Sequence, residues 1–78
     1  MKVIFFKAYQ GIQINKRVVM HILMGADPNI LSMEAIAGFG ILVTSNVESS
    51  KGTEKETVLV PFPNVAYCKI EAEVKKAK

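Results

Sequence analysis

Short apolar runs rich in β-branched and aromatic side chains, each soon cut by glycine, proline or asparagine, leave this chain little choice but a β-rich fold. Lys2–Tyr9 (KVIFFKAY) is the densest run and reads as a strand buried on both faces, with Val3 and Phe5 on one side and Ile4, Phe6 and Ala8 on the other. Gln10-Gly11 then breaks the pattern, as a turn does. Residues 11–24 carry two readings. Ile14, Val18, His21 and Ile22 suit one face of a helix, while Val18, Met20, Ile22 and Met24 alternate as in a strand. Their β-branched content favours the strand, and the choice decides between a pure barrel and an α+β sandwich.

Gly25-Ala26-Asp27-Pro28-Asn29 is a turn, because Asp and Asn side chains bond the nearby backbone and Pro28 presets its own φ. Ile30–Ser45 follows, interrupted by Gly38-Phe39-Gly40, which reads as a bulge or sharp bend of the kind that curls a sheet into a barrel. Asn46–Glu56 (NVESSKGTEKE) is polar and reads as an exposed loop. Thr57–Val60 resumes the strand pattern, and Pro61-Phe62-Pro63-Asn64 interrupts it. In the last expected strand, Val65–Val74, Ala66, Cys68, Ile70 and Ala72 face a core while Tyr67, Lys69, Glu71 and Glu73 face water. Lys75–Lys78 is a tail that should fray. The expectation is one domain over residues 1–78: all-β or mostly β, a five-stranded, strongly bent antiparallel barrel with room for one short helix.

The segment from Thr57 to Glu71, strand, proline corner, strand, resembles the closing part of small barrels of the Sm-like and Src-homology-3-like type. In those folds the penultimate strand ends at a one-turn helix and a short last strand closes the barrel. The resemblance implies that Pro61 and Pro63 stop ladder pairing, that Phe62 plugs one barrel end and that Asn64 begins the turn. The Asp and Asn pair that marks RNA-binding Sm proteins has no counterpart here. The short, self-contained chain also resembles small accessory proteins of bacteriophages.

With 78 residues and a single cysteine, Cys68, this domain has no intramolecular disulfide to supplement a small core. Half of its residues are nevertheless apolar. Counted with glycine and without tyrosine, that share exceeds the roughly 45–50% of ordinary globular chains. A small domain has too much surface to hide such an excess, so self-association or a protein partner is expected. No apolar run reaches the length of a membrane span, and Met1–Phe6 lacks the layout of a secretory signal, so the expected location is the cytoplasm, away from membranes. The net charge of +3 is unevenly spread. Lys2, Lys7, Lys16 and Arg17 precede any acid, all seven carboxylates lie between Asp27 and Glu73, and Lys75, Lys76 and Lys78 close the chain.

Chemistry is sparsely provided for. His21 is the only histidine, which excludes multi-histidine metal sites and histidine triads, and it reads as a half-buried structural residue. Cys68 alternates with Ala66 and Ile70 on the expected core face, as an inert packed thiol does. The pairs Glu54/Glu56 and Glu71/Glu73 are interleaved or flanked by lysines and read as solvated faces. Gly38-Phe39-Gly40 lacks the further residues of a phosphate-cradling loop. No enzyme, metal or other cofactor is expected. The leading reading is a homo-oligomer that binds an as yet unknown protein partner. The alternative is a nucleic-acid-binding surface made by Lys7, Tyr9, Lys16, Arg17, Tyr67 and Lys69, basic side chains for phosphates and aromatic ones for bases.

Overall fold

A computed structural model describes residues 1–71 of the chain. They form six strands: β1 (Val3–Ile14), β2 (Arg17–Leu23), β3 (Ile30–Ile36), β4 (Gly40–Ser49), β5 (Gly52–Pro61) and β6 (Val65–Ile70). Every pairing is antiparallel, and two three-stranded sheets result, one ordered β2-β1-β6 and the other β3-β4-β5. The expectation of a mostly β fold holds. The five-stranded barrel does not, since there are six strands and the two sheets are not closed into one. The described residues contain no α-helix, and residues 12–24 are not the single strand expected but the end of β1, a tight turn and β2.

The core lies between the sheets. Val3, Phe6, Ala8, Ile12, Ile14 and Ile22 come from the first, and Ile30, Met33, Ile41, Val43 and Val60 from the second. The sheets are tied at one end by main chain: the Ala35 N–H donates to the Met1 carbonyl at 2.8 Å, and Lys2 bridges to Glu34. Strand β1 is buried on one face only, because Lys7 and Tyr9 on the other are exposed. A register shift between Val3 and Phe5 against β6 reverses the alternation, and so the core takes Phe6 rather than Phe5.

The expected turn at Gln10-Gly11 is a bulge inside β1, where pairing with β2 lapses between Lys7 and Ile12. The sequence suggests a chain reversal because Gly11 is needed there for a different reason. Val18 packs against its backbone so closely that a Cβ at position 11 would collide with Val18 Cγ1. The main-chain groups freed by the bulge are satisfied by Asn64, which accepts from the Gln10 N–H at 2.8 Å and donates Nδ2 to the Gln10 carbonyl at 3.3 Å. The true reversal is Asn15-Lys16, both at positive φ, between the paired Ile14 and Arg17. It is a two-residue hairpin whose left-handed backbone matches the twist of its strands.

Two further corrections explain the sixth strand. Gly38-Phe39-Gly40 is not a bend within one strand but the end of a hairpin loop: Ile36 pairs with Gly40, and the Phe39 N–H donates to the Ile36 carbonyl at 3.0 Å. Asn46–Glu56 is not a loop, since β4 and β5 pair without a break from Gly40 and Pro61 out to Ser49 and Gly52. Ser49 Oγ accepts from the Lys51 N–H and donates to the Gly52 carbonyl, closing that turn. Pairing of β3 with β4 ends at Ser45, so residues 46–55 project as a two-stranded arm. Beyond Asn46 and Val47, which are half-buried beside the Asn46 N–H bond to the Asn29 carbonyl, both faces of this arm are exposed, which is why its sequence has the polarity of a loop.

The expected turn at residues 25–29 is present, with the Asn29 N–H donating to Asp27 Oδ1 at 2.9 Å, and the expected interruption at Pro61–Asn64 is a one-turn 3₁₀ helix, Phe62–Asn64, which Asn64 ends rather than begins. Phe62 is 37% exposed rather than a buried plug. In β6, Cys68 packs half-buried against the core, but Ala66 and Ile70 are exposed, so the expected core face is incomplete. Ala72, Glu73, Val74 and the lysine tail lie outside the described residues.

Candidate nucleic-acid interface

The outward face of the β2-β1-β6 sheet gathers the basic and aromatic side chains that the sequence scatters. Because β1 is central, its outward residues Phe5 and Lys7 each have a neighbour on both sides. Phe5 pairs with Leu23 of β2 and Lys69 of β6, and Lys7 pairs with His21 and Tyr67. These two rows lie on the side opposite Phe6, Ile22 and Cys68, which pair with one another on the core side.

Three rings converge within the rows. The Phe5 ring centroid lies 6.1 Å from that of His21 and 6.0 Å from that of Tyr67, with interplanar angles of 38° and 60°. Tilted contacts of this kind are a favoured aromatic geometry and hold the rings in place without burying their outer faces. Tyr67 stays 51% exposed, and Lys7, His21 and Lys69 are exposed around it. Neither row contains a carboxylate, and among the described residues neither lysine is in an ion pair, although the exposed Glu71 follows Lys69 two residues along the chain. Lysines and rings interleaved in this way can meet phosphates and bases at once.

Of the six residues expected from the sequence, Lys7, Tyr67 and Lys69 are thus brought together. Tyr9, 67% exposed, continues the outward series of β1 beyond Lys7, at the start of the bulge. Lys16 and Arg17 are not part of the face. They sit at the β1–β2 turn, and the Arg17 guanidinium is held by Asp27, with Nη2 2.6 Å from Oδ2. Both residues of that ion pair line a groove of about 730 Å³ beside β2 and the turn at residues 25–29, which Phe5, His21, Ile22 and Ile30 also line. Lys16 borders a smaller polar groove with Asn15, Asn29, Asn46, Glu48 and Thr53.

Phe5 and His21 belong to the face and were not expected there. His21 is exposed rather than half-buried. Its signal in the sequence was its place one residue before Ile22, on the opposite face of β2 from that core residue. Among the described residues no group of three or more His, Cys, Asp and Glu side chains is placed to hold a metal ion, and no helix is long and apolar enough to cross a membrane. No family model, curated protein or solved structure matches this chain.

Proposed function

We propose that this protein is a non-enzymatic binding module whose working surface is the outward face of the β2-β1-β6 sheet, and that it takes nucleic acid there. The observation that carries the reading is the row His21–Lys7–Tyr67, backed by Phe5 and flanked by Lys69, on a face without carboxylates in either row. Binding of phosphates by lysine releases condensed counterions, so affinity falls with salt in proportion to the contacts made. The test is fluorescence anisotropy with labelled oligonucleotides at two salt concentrations. Lys7→Ala is expected to weaken binding and to reduce the slope of log affinity against log salt by about 1 or slightly less. Lys55→Ala, on the distant arm, should leave the slope unchanged. No detectable binding at low salt, or equal effects of the two variants, would remove the proposal.

Self-association with a protein partner is the second reading, and a separate feature favours it. On β2, an edge strand, Val18 is 73% exposed, Leu23 50% and Met20 43%, and no Lys, Asp, Glu or Pro interrupts Val18–Leu23. Native edge strands are ordinarily protected by such residues, as Glu54, Lys55 and Glu56 protect β5. Light scattering after size exclusion decides it: a salt-insensitive oligomer that Val18→Lys dissociates supports the reading, and a monomer at high concentration rules it out.

A further inference from the structure

We infer that the ligand of this face is a single strand, laid across the β-strands from β6 to β2, and that His21 is one of the residues that hold it. The inference rests on the nucleic-acid reading above and specifies its substrate class and path. Unpaired bases can lie flat on exposed rings, whereas a duplex stacks its base faces away and offers only base edges in its grooves, which rings cannot stack on. The rings here do not follow one strand. Tyr67 is on β6, Phe5 on β1 and His21 on β2, and the 6.0 Å and 6.1 Å centroid spacings make them a track perpendicular to the strands.

The track has a definite capacity. Tyr67 and His21 both flank Lys7, two strand spacings apart, or about 10 Å. At roughly 3.4 Å per nucleotide for a stacked strand, about three nucleotides fill it. Lys7 stands between the two outer rings and Lys69 beside Phe5, which places cations where the linking phosphates pass. Base contacts would fall to Tyr67 and His21, the outer rings, while Phe5, half-buried, sets their tilt. On this geometry Phe5 is a positioning residue and His21 a binding residue.

The experiment uses the full chain, uniformly ¹⁵N-labelled, titrated with a hexathymidylate and separately with a self-complementary duplex, the two compared at equal phosphate concentration. The expected result is that amide shifts with the single strand concentrate on Phe5–Lys7, His21–Leu23 and Tyr67–Lys69, with weaker changes for the duplex. Tyr67→Ala and His21→Ala should each weaken single-strand affinity by about 5- to 150-fold, the range for loss of one stacked base. His21→Phe, which keeps a ring, should retain affinity within a few-fold. Both positions are exposed, and far-UV circular dichroism checks that the variants fold. Equal or tighter binding of duplex, or His21→Ala at wild-type affinity, overturns the single-strand path while leaving the nucleic-acid reading intact. Absence of binding to either ligand overturns both.

Discussion

Replacing Gly40 by alanine is the sharpest test of how closely β5 is held against β4 in the second sheet. Gly40 opens β4, pairs with Ile36 on one side and Pro61 on the other, and is buried. A Cβ at this position would run into the Val60 carbonyl oxygen and stand 2.8 Å from Pro61 Cα, both backbone atoms of β5 that no rotamer change can move aside. Relief requires β5 to shift away from β4 just where Ile41 and Val60, each at most 1% exposed, pack side by side. Overpacking of this kind costs about 1–3 kcal/mol. The Phe62 N–H bond to the Phe39 carbonyl, 3.1 Å long and anchored on either side of the clash, adds about 0.5–1.5 kcal/mol when it breaks. The expected destabilisation is therefore about 1.5–4.5 kcal/mol, which for a domain of this size corresponds to a fall in Tm of roughly 6–36 °C. Urea unfolding followed by far-UV circular dichroism measures it, since the chain has no tryptophan. Gly38→Ala is the control: its φ is +82°, so it too is strained, but its Cβ meets nothing within 4 Å, and the cost should stay near 1–2 kcal/mol. A loss below 1 kcal/mol at Gly40, or a larger one at Gly38, would refute the steric argument.

Three other substitutions probe separate parts of the molecule. Ser45 is fully buried and its Oγ has no hydrogen-bonding partner among the described residues, so Ser45→Ala should raise stability by about 1 kcal/mol in the same urea assay. Lys16 sits at φ +66° in the β1–β2 turn, where Asn-Gly is the preferred pair; Lys16→Gly should add about 0.5–1 kcal/mol, and it should leave oligonucleotide affinity nearly unchanged in anisotropy because Lys16 lies off the sheet face. Asn64→Ala removes both hydrogen bonds to Gln10 and should cost about 1–2 kcal/mol, with amide hydrogen exchange accelerating first at residues 9–11 of the bulge.

The elements legible in the sequence are those whose residues act locally. Asp27 bonds the backbone two residues on, and Pro61 and Pro63 end a ladder wherever they stand, so the turn at 25–29 and the corner at 61–64 could be placed from residue type alone. What could not be placed depends on distant partners. Gly11 reads as a turn until Val18 is seen lying on it, and the bulge holds only because Asn64, 54 residues away, replaces the missing ladder bonds. Asn15-Lys16 carries no glycine, so nothing local announces a hairpin, and the polarity of Asn46–Glu56 reports solvent on both faces over most of its length rather than an absence of pairing.

The same division governs the candidate site. Tyr67 and Lys69 are legible because alternation in β6 sends them outward, and Lys7 because a charged side chain is seldom buried; the pairing of Lys7 with Tyr67 makes them neighbours. Lys16 and Arg17 fit the charge pattern equally well, but charge along a chain does not say which face a residue reaches, and Arg17 is committed to Asp27. Phe5 and His21 were hidden for one reason. Strict alternation from Val3 assigns Phe5 to the face of a core residue, and only the register shift against β6 turns Phe5 outward and brings its ring between His21 and Tyr67. A single irregularity in one strand thus separates a face with two isolated tyrosines from one with a continuous aromatic track, and the binding proposed here depends on that irregularity more than on the net charge of the chain.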